Sequence, residues 1–190
     1  MSLSPNSAWT YETQNAIAAT TTTNIVTATN RDTAITGKTY HVFTNSNGSV
    51  NDYYNITGND YYTFRNISAI PGLSPIQTIY LKDNAAAGIS WSETVNFPIP
   101  GLPTAVPVVF TNIIAEKDIS KTVNSISYSN VIHITTTLAV TGLPTGSVIS
   151  DIQSYYAPKV GLIESKYKIS SSLLTINIDQ NTTLKNSDIK

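Results

Sequence analysis

Asp52-Tyr53-Tyr54-Asn55-Ile56-Thr57-Gly58-Asn59-Asp60-Tyr61-Tyr62-Thr63-Phe64-Arg65 is the stretch that decides the fold. Two runs rich in aromatic and β-branched residues flank Gly58-Asn59, a pair suited to the left-handed backbone of a two-residue hairpin turn. With the turn there, Tyr54 faces Thr63 and Ile56 faces Tyr61 on the neighbouring strand. Side chains alternate between faces along a strand. Tyr53, Tyr62 and Phe64 therefore share one face, and Tyr54, Ile56 and Tyr61 the other. A hairpin that is aromatic on both sides packs one face on a core, and its other face is covered or meets a ligand.

The period of two continues outward from this hairpin in both directions. Segments 9–13, 20–29 and 38–43 precede it. Segments 76–82, 88–96, 108–116, 123–140, 149–156, 160–169 and 173–179 follow. In 123–140, Ile132, Ile134, Leu138 and Val140 alternate with Val131, His133, Thr135 and Thr137. Residues 12–19 are the best short helix candidate. Between Phe97 and Pro107 lie four prolines in eleven residues, which exclude helix and central strand and predict an extended apolar loop. The whole reads as a mainly β protein with little helix: one antiparallel curved sheet or half-barrel of about ten strands.

At 190 residues one domain is expected. The division is 1–8 as a cloning remnant and N-terminal linker, 9–180 as a single β-domain, and 181–190 as a frayed polar tail. Met1-Ser2-Leu3 has neither the positive nor the apolar region of an export signal, so the native signal is expected to have been cut away. No apolar run reaches the roughly 18 residues of a membrane helix. Only 12% of residues are charged, and Thr, Ser and Asn stand in their place. That balance suits exported β-proteins. A net charge of −1 offers no basic face for a nucleic acid.

The chain is poor in reactive groups, with no cysteine and two histidines. His41 and His133 fall on separate strands without metal-ligand spacing, so no metal or other cofactor is expected. No Gly-x-Ser-x-Gly elbow and no phosphate-binding glycine loop occur. Glu93, Glu116 and Glu164 lie on strands, but nothing in their spacing pairs two of them across a cleft, as glycan hydrolysis requires. No catalytic residues are assigned, and the protein reads as a non-enzyme.

Tyr155-Tyr156-Ala157-Pro158-Lys159-Val160-Gly161-Leu162-Ile163-Glu164 resembles the "YYA-x-x-VGL-[IV]-[EK]" segment of a family of uncharacterised Bacteroidetes exported lipoproteins. Trp9-Thr10-Tyr11 resembles the "W-x-Y" opening strand of that family. Segments 37–42, 59–64 and 129–134 resemble its middle, in the same order. The resemblance implies export to the periplasm or cell surface, with membrane attachment through a lipidated N-terminal cysteine that this chain does not contain. It also implies a half-barrel similar in outline to the lipoprotein-localisation carriers, which hold acyl chains in an apolar concavity.

The candidate ligand-binding residues are aromatic: Tyr40, Tyr53, Tyr62, Phe64, Trp91 and Tyr156, with Tyr54, Tyr61 and Tyr155 beside them. Rings supply apolar area and phenols supply hydrogen bonds. The expected function is non-enzymatic binding of an apolar or lipid-like molecule in an aromatic concavity, with the Phe97–Pro107 segment as its lip. The alternatives are a structural or interaction module that docks an envelope protein and, last, a glycan-binding or glycan-hydrolysing domain.

Overall fold

The register expected for the central hairpin is the observed one: Tyr54 pairs with Thr63 and Ile56 with Tyr61, and Gly58 takes φ +62° in the turn. The computed structural model describes residues 3–65, 75–97 and 105–190. They form twelve strands and no helix. These are β1 (Ala8–Asn15), β2 (Thr20–Ile35), β3 (Lys38–Asn45), β4 (Asp52–Thr57), β5 (Asp60–Arg65), β6 (Ile76–Lys82), β7 (Ser90–Phe97), β8 (Val106–Val123), β9 (Ile126–Val140), β10 (Ile149–Ala157), β11 (Gly161–Ser171) and β12 (Ile176–Asp188). All belong to one antiparallel sheet in the order β6-β5-β4-β3-β2-β1-β12-β11-β10-β9-β8-β7. Every sequential pair is adjacent except β6 and β7, which form the two edges, and β12 returns to pair with β1.

Contacts between strands far apart in this order require the sheet to curl on itself into a nearly closed barrel. The Tyr80 ring of β6 lies 5.5 Å from the Tyr156 ring of β10. The Arg65 guanidinium of β5 donates to the Tyr167 hydroxyl of β11 at 3.4 Å. Across β12, the Trp9 indole of β1 donates to the Val160 carbonyl at 2.8 Å and the Tyr11 hydroxyl to the Leu162 carbonyl at 3.0 Å. The alternation of the strands does the sorting. Trp9, Tyr11, Val26, Phe43, Ile163 and Leu184 turn inward and are buried together. A second group, Leu81, Ile114, Ile132 and Ile134, packs beneath Tyr61, Tyr80, Trp91 and Tyr156. A third, Phe97 and Val108, is joined by Ile76, Val95 and Phe110.

The single antiparallel curved sheet is the expected one, with twelve strands where about ten were expected. Four other expectations need correction. Residues 12–19 are not helical: Glu12–Asn15 completes β1, and the Asn15 side chain accepts the N–H groups of Ile17 and Ala18 at 3.0 Å each, closing an Asx turn. The segment 123–140 is not one strand, because Asn124 and Ser125 take φ of +51° and +67° and make a two-residue turn without glycine. Residues 181–190 do not fray. They carry β12 along β1 as far as Asp188, with Leu184 buried and the Thr13 and Thr182 hydroxyls 2.9 Å apart. Their polar side chains hide strand pairing because the pairing is made by backbone. The 1–8 segment is likewise no free linker at its end: Ser7 is buried, and its carbonyl accepts the Ala28 N–H at 2.9 Å. Of the Pro-rich loop expected from Phe97 to Pro107, 98–104 lie outside the described residues, while Phe97 ends β7 and Val106-Pro107 open β8, with Phe97 paired to Val106 and Asn96 to Pro107.

Candidate functional site

The six candidate aromatic residues do not form one surface. Tyr40, Tyr53, Tyr62 and Phe64 lie on the outer face of β3, β4 and β5. Phe64 is 6.3 Å from Tyr40 and 6.0 Å from Tyr53, ring centre to ring centre. Tyr40 is fully buried and donates its hydroxyl to Gln77 at 2.7 Å. Tyr53, Tyr62 and Phe64 are half-buried. The Lys38 ammonium sits 4.1 Å above the centre of the Tyr62 ring, which occupies that aromatic face. Trp91 belongs to β7, at the edge, and Tyr156 turns to the interior.

The interior is where the rings converge. Tyr80 lies 5.9 Å from Tyr54, 6.1 Å from Tyr61 and 5.5 Å from Tyr156, in tilted and edge-on arrangements. Burial holds the Tyr11, Tyr54, Tyr80 and Tyr156 phenols well above the ordinary tyrosine range, and neighbouring phenols push the same way. Arg65 joins this group from the end of β5. Its Nη2 donates to the Tyr167 hydroxyl of β11 at 3.4 Å. Burial alone would favour its neutral form, but Tyr167, Tyr54 and Asp52 outweigh this and hold it more firmly cationic. Sequence reasoning did not single out Tyr11, Tyr80, Tyr167 or Arg65. Alternation from Thr63 places Arg65 on the Tyr54 face, a signal that was there to use. Tyr80 could not be found this way, because a bulge opposite Tyr61 and Tyr62 shifts the register around it.

The edges β6 and β7 meet without a backbone ladder among the described residues. Two inward side chains of β7 bond the β6 backbone instead. Glu93 Oε2 accepts the Ile79 N–H at 2.8 Å, and the Trp91 indole donates to the Ile79 carbonyl at 2.9 Å. Below this clasp, Lys117 Nζ donates to the Asp83 and Ala85 carbonyls at 2.8 and 3.0 Å. Burial raises the Glu93 carboxyl, against the Ile79 N–H and Lys82, which lower it. The seam thus rests on side chains, whereas every other join in the sheet is a ladder. Glu93→Ala is expected to speed hydrogen exchange at the Ile79 amide by about 10- to 100-fold, the weight of one charge-assisted bond. Exchange at Thr63, inside the β4–β5–β6 ladders, is expected to stay unchanged. Equal exchange at Ile79 in both proteins would remove the clasp from this description.

The remaining polar candidates make their bonds elsewhere, although the buried His41 Nε2 has no hydrogen-bond partner among the described residues. On the outer face of β8 to β11, His133 Nδ1 faces Glu116 Oε2 at 2.7 Å and its Nε2 faces Gln153 Oε1. The Gln153 amide is fixed in turn by donating to Asp151 at 2.6 Å. Tyr155 stacks on the His133 ring at 4.2 Å, and the Lys121 ammonium covers the Tyr155 ring at 3.8 Å. Glu164 accepts from Lys121 at 3.2 Å. Glu93, Glu116 and Glu164 therefore serve three different partners rather than facing one another. His41 pairs with Asp32 at 2.6 Å, on a different strand from His133. Among the described residues, no group of three or more His, Cys, Asp or Glu could hold a metal ion.

Two hollows lined by described residues are open dents in the surface. One, of about 390 Å³, is lined by Pro5, Asn6 and Thr27–Asn30. The other, of about 260 Å³, is lined by residues around the β1–β2 turn and Asp179. Neither touches the aromatic residues.

No protein-family model and no curated protein matches this chain. A solved structure does. The chain is similar in fold to a "putative lipoprotein" from Parabacteroides distasonis ATCC 8503, with a TM-score of 0.56 at 9% identity, over 98% of this chain and 96% of that one. At that identity the likeness concerns the course of the backbone alone. It spans the sheet from end to end.

Proposed function

We propose that this chain is the folded part of an exported, membrane-anchored lipoprotein of the cell envelope that binds a small amphiphile on its inner aromatic face and performs no covalent chemistry. The observation that carries the reading is the pairing of a tyrosine-lined interior with a seam held by side chains. A fully laddered barrel opens only by breaking a row of backbone bonds. Here parting β6 from β7 breaks the two bonds to Ile79 and the Lys117 contacts, and the rings behind it are Tyr54, Tyr80 and Tyr156. Export and anchoring draw support from the motif resemblance, from the Thr-, Ser- and Asn-rich composition, and from the fold shared with the Parabacteroides protein. Ala8 pairs with Asp188, so both ends of the sheet's chain leave from one rim. An anchor preceding Ala8 would hold that rim to the membrane.

A second reading has its own support. The outer patch of Tyr53, Tyr62 and Phe64 is half-buried and contiguous, which suits docking of an envelope protein. Glycan stacking draws less support, because Lys38 caps Tyr62 and Tyr155 is enclosed between His133 and Lys121. The two leading readings are separated by which rings a bound amphiphile touches, measured as nuclear Overhauser contacts to assigned ring protons.

A further inference from the structure

We infer that Arg65 is the receptor for an oxyanion head group, a carboxylate or phosphate, on the ligand held in the tyrosine-lined interior. This rests on the inner-face reading above and adds the chemical class of the ligand. Arg65 ends β5 with its side chain on the inner face, half-buried among phenols. It makes no ion pair among the described residues, and residues 1–2, 66–74 and 98–104 contain no Asp or Glu. The carboxylate that acts on it, Asp52, lies beyond ion-pair distance and accepts from Asn45 at 3.1 Å. Its described hydrogen-bond partner is a neutral hydroxyl, that of Tyr167.

An arginine drawn this far from water ordinarily has a carboxylate or phosphate against its fork, because a lone charge in such a place is costly. A second observation points to the same place. Thr63 stands two residues before Arg65 on the same face of β5, and its hydroxyl is buried without a hydrogen-bond partner among the described residues. Tyr54, Tyr156 and Tyr167 bring further hydroxyls close enough to interact electrostatically with the guanidinium. A guanidinium, phenols and an unused threonine hydroxyl all donate to oxygen. The rings that carry the phenols supply the apolar wall for a short alkyl chain.

The test is calorimetric titration of the full chain with decanoate, decyl phosphate and 1-decanol, which share a tail and differ in head group. At least one anionic probe is expected to bind the unaltered protein about 10-fold or more tightly than 1-decanol. Arg65→Gln is expected to weaken that probe by about 10- to 100-fold, the loss of a charge-assisted contact, and to leave 1-decanol unchanged. Tyr167→Phe, which keeps the charge, is expected to cost less and guards against a folding defect in the first variant. The tighter of the two anionic probes assigns carboxylate or phosphate. Equal binding of all three probes, or full retention of anion binding in Arg65→Gln, overturns the role of Arg65 while leaving the inner-face reading intact. Binding of none of them overturns both.

Discussion

Raising the pH from 10 to 12 is expected to unfold the protein in one cooperative step. Burial pushes the Tyr40 phenol up to about 12, with Tyr62 and Glu93 adding to the effect. Tyr61 is raised to about 12 by burial and by its hydrogen bond to Asp83. Tyr11, Tyr54, Tyr80 and Tyr156 move the same way, burial first. The sign follows from proton linkage. In the unfolded chain these phenols ionise near pH 10, while in the fold they stay protonated, so the unfolded state gives up its protons first. Stability is intact below pH 10 and falls as the pH climbs toward the folded values. Tyr40 alone accounts for about 2 kcal/mol by pH 12, and a domain of this size holds only about 5–15 kcal/mol in all. Phenolate absorbance and far-ultraviolet circular dichroism are expected to change together, in a step steeper than a single-proton titration. A gradual phenolate titration near pH 10 with the sheet signal preserved would mean the tyrosines are not held as described.

The largest single-residue loss of stability is expected at Trp9. It is fully buried, lies 5.9 Å from the Phe43 ring and bonds the Val160 carbonyl, so it ties the β1–β2–β3 wall to the β10–β11 hairpin. Trp9→Ala removes a large ring from a filled site at a cost of about 3–5 kcal/mol, and the stranded carbonyl adds about 1 kcal/mol or more. Trp9→Phe keeps most of the packing and is expected to cost about 1–2 kcal/mol. Ile149→Ala, at a side chain 68% exposed, is expected to stay within about 0.5 kcal/mol. Urea unfolding midpoints compared at constant slope measure all three. A Trp9→Ala variant as stable as Ile149→Ala would mean that the hairpin is not docked on β1.

The fold was legible wherever alternation and turn chemistry agreed. The 52–65 hairpin declared its register because aromatic pairs and Gly58-Asn59 point to one answer. Asn124-Ser125 turns as tightly, but neither residue carries the glycine that marks such turns, so β8 and β9 blurred together. Residues 181–190 read as a tail because backbone pairing leaves no trace in Thr182, Asn186 or Ser187. The candidate site was legible by half. Sequence alternation puts Tyr53 and Tyr54 on opposite faces, but it does not say which face becomes concave. That is decided by the curl, which depends on contacts as distant in sequence as Tyr80 with Tyr156 or Arg65 with Tyr167. Tyr156 therefore fell inside, Tyr53, Tyr62 and Phe64 outside, and Trp91 at the seam.

The curl also gives a physical reason for so many tyrosines. Tyrosine fills volume in the interior as Leu or Ile would, and it also brings hydroxyls close to Arg65; on the proposed reading these meet the head group. The side-chain clasp on Ile79 then offers a way to part the wall without dismantling a ladder.

The most direct measurement is the set of nuclear Overhauser contacts between decanoate and the assigned ring protons of the full chain. Contacts to Tyr54, Tyr80 and Tyr156, with none to Tyr53, Tyr62 or Phe64, are the expected result. Contacts confined to the outer three rings would contradict the inner-face account and make the outer patch the binding surface.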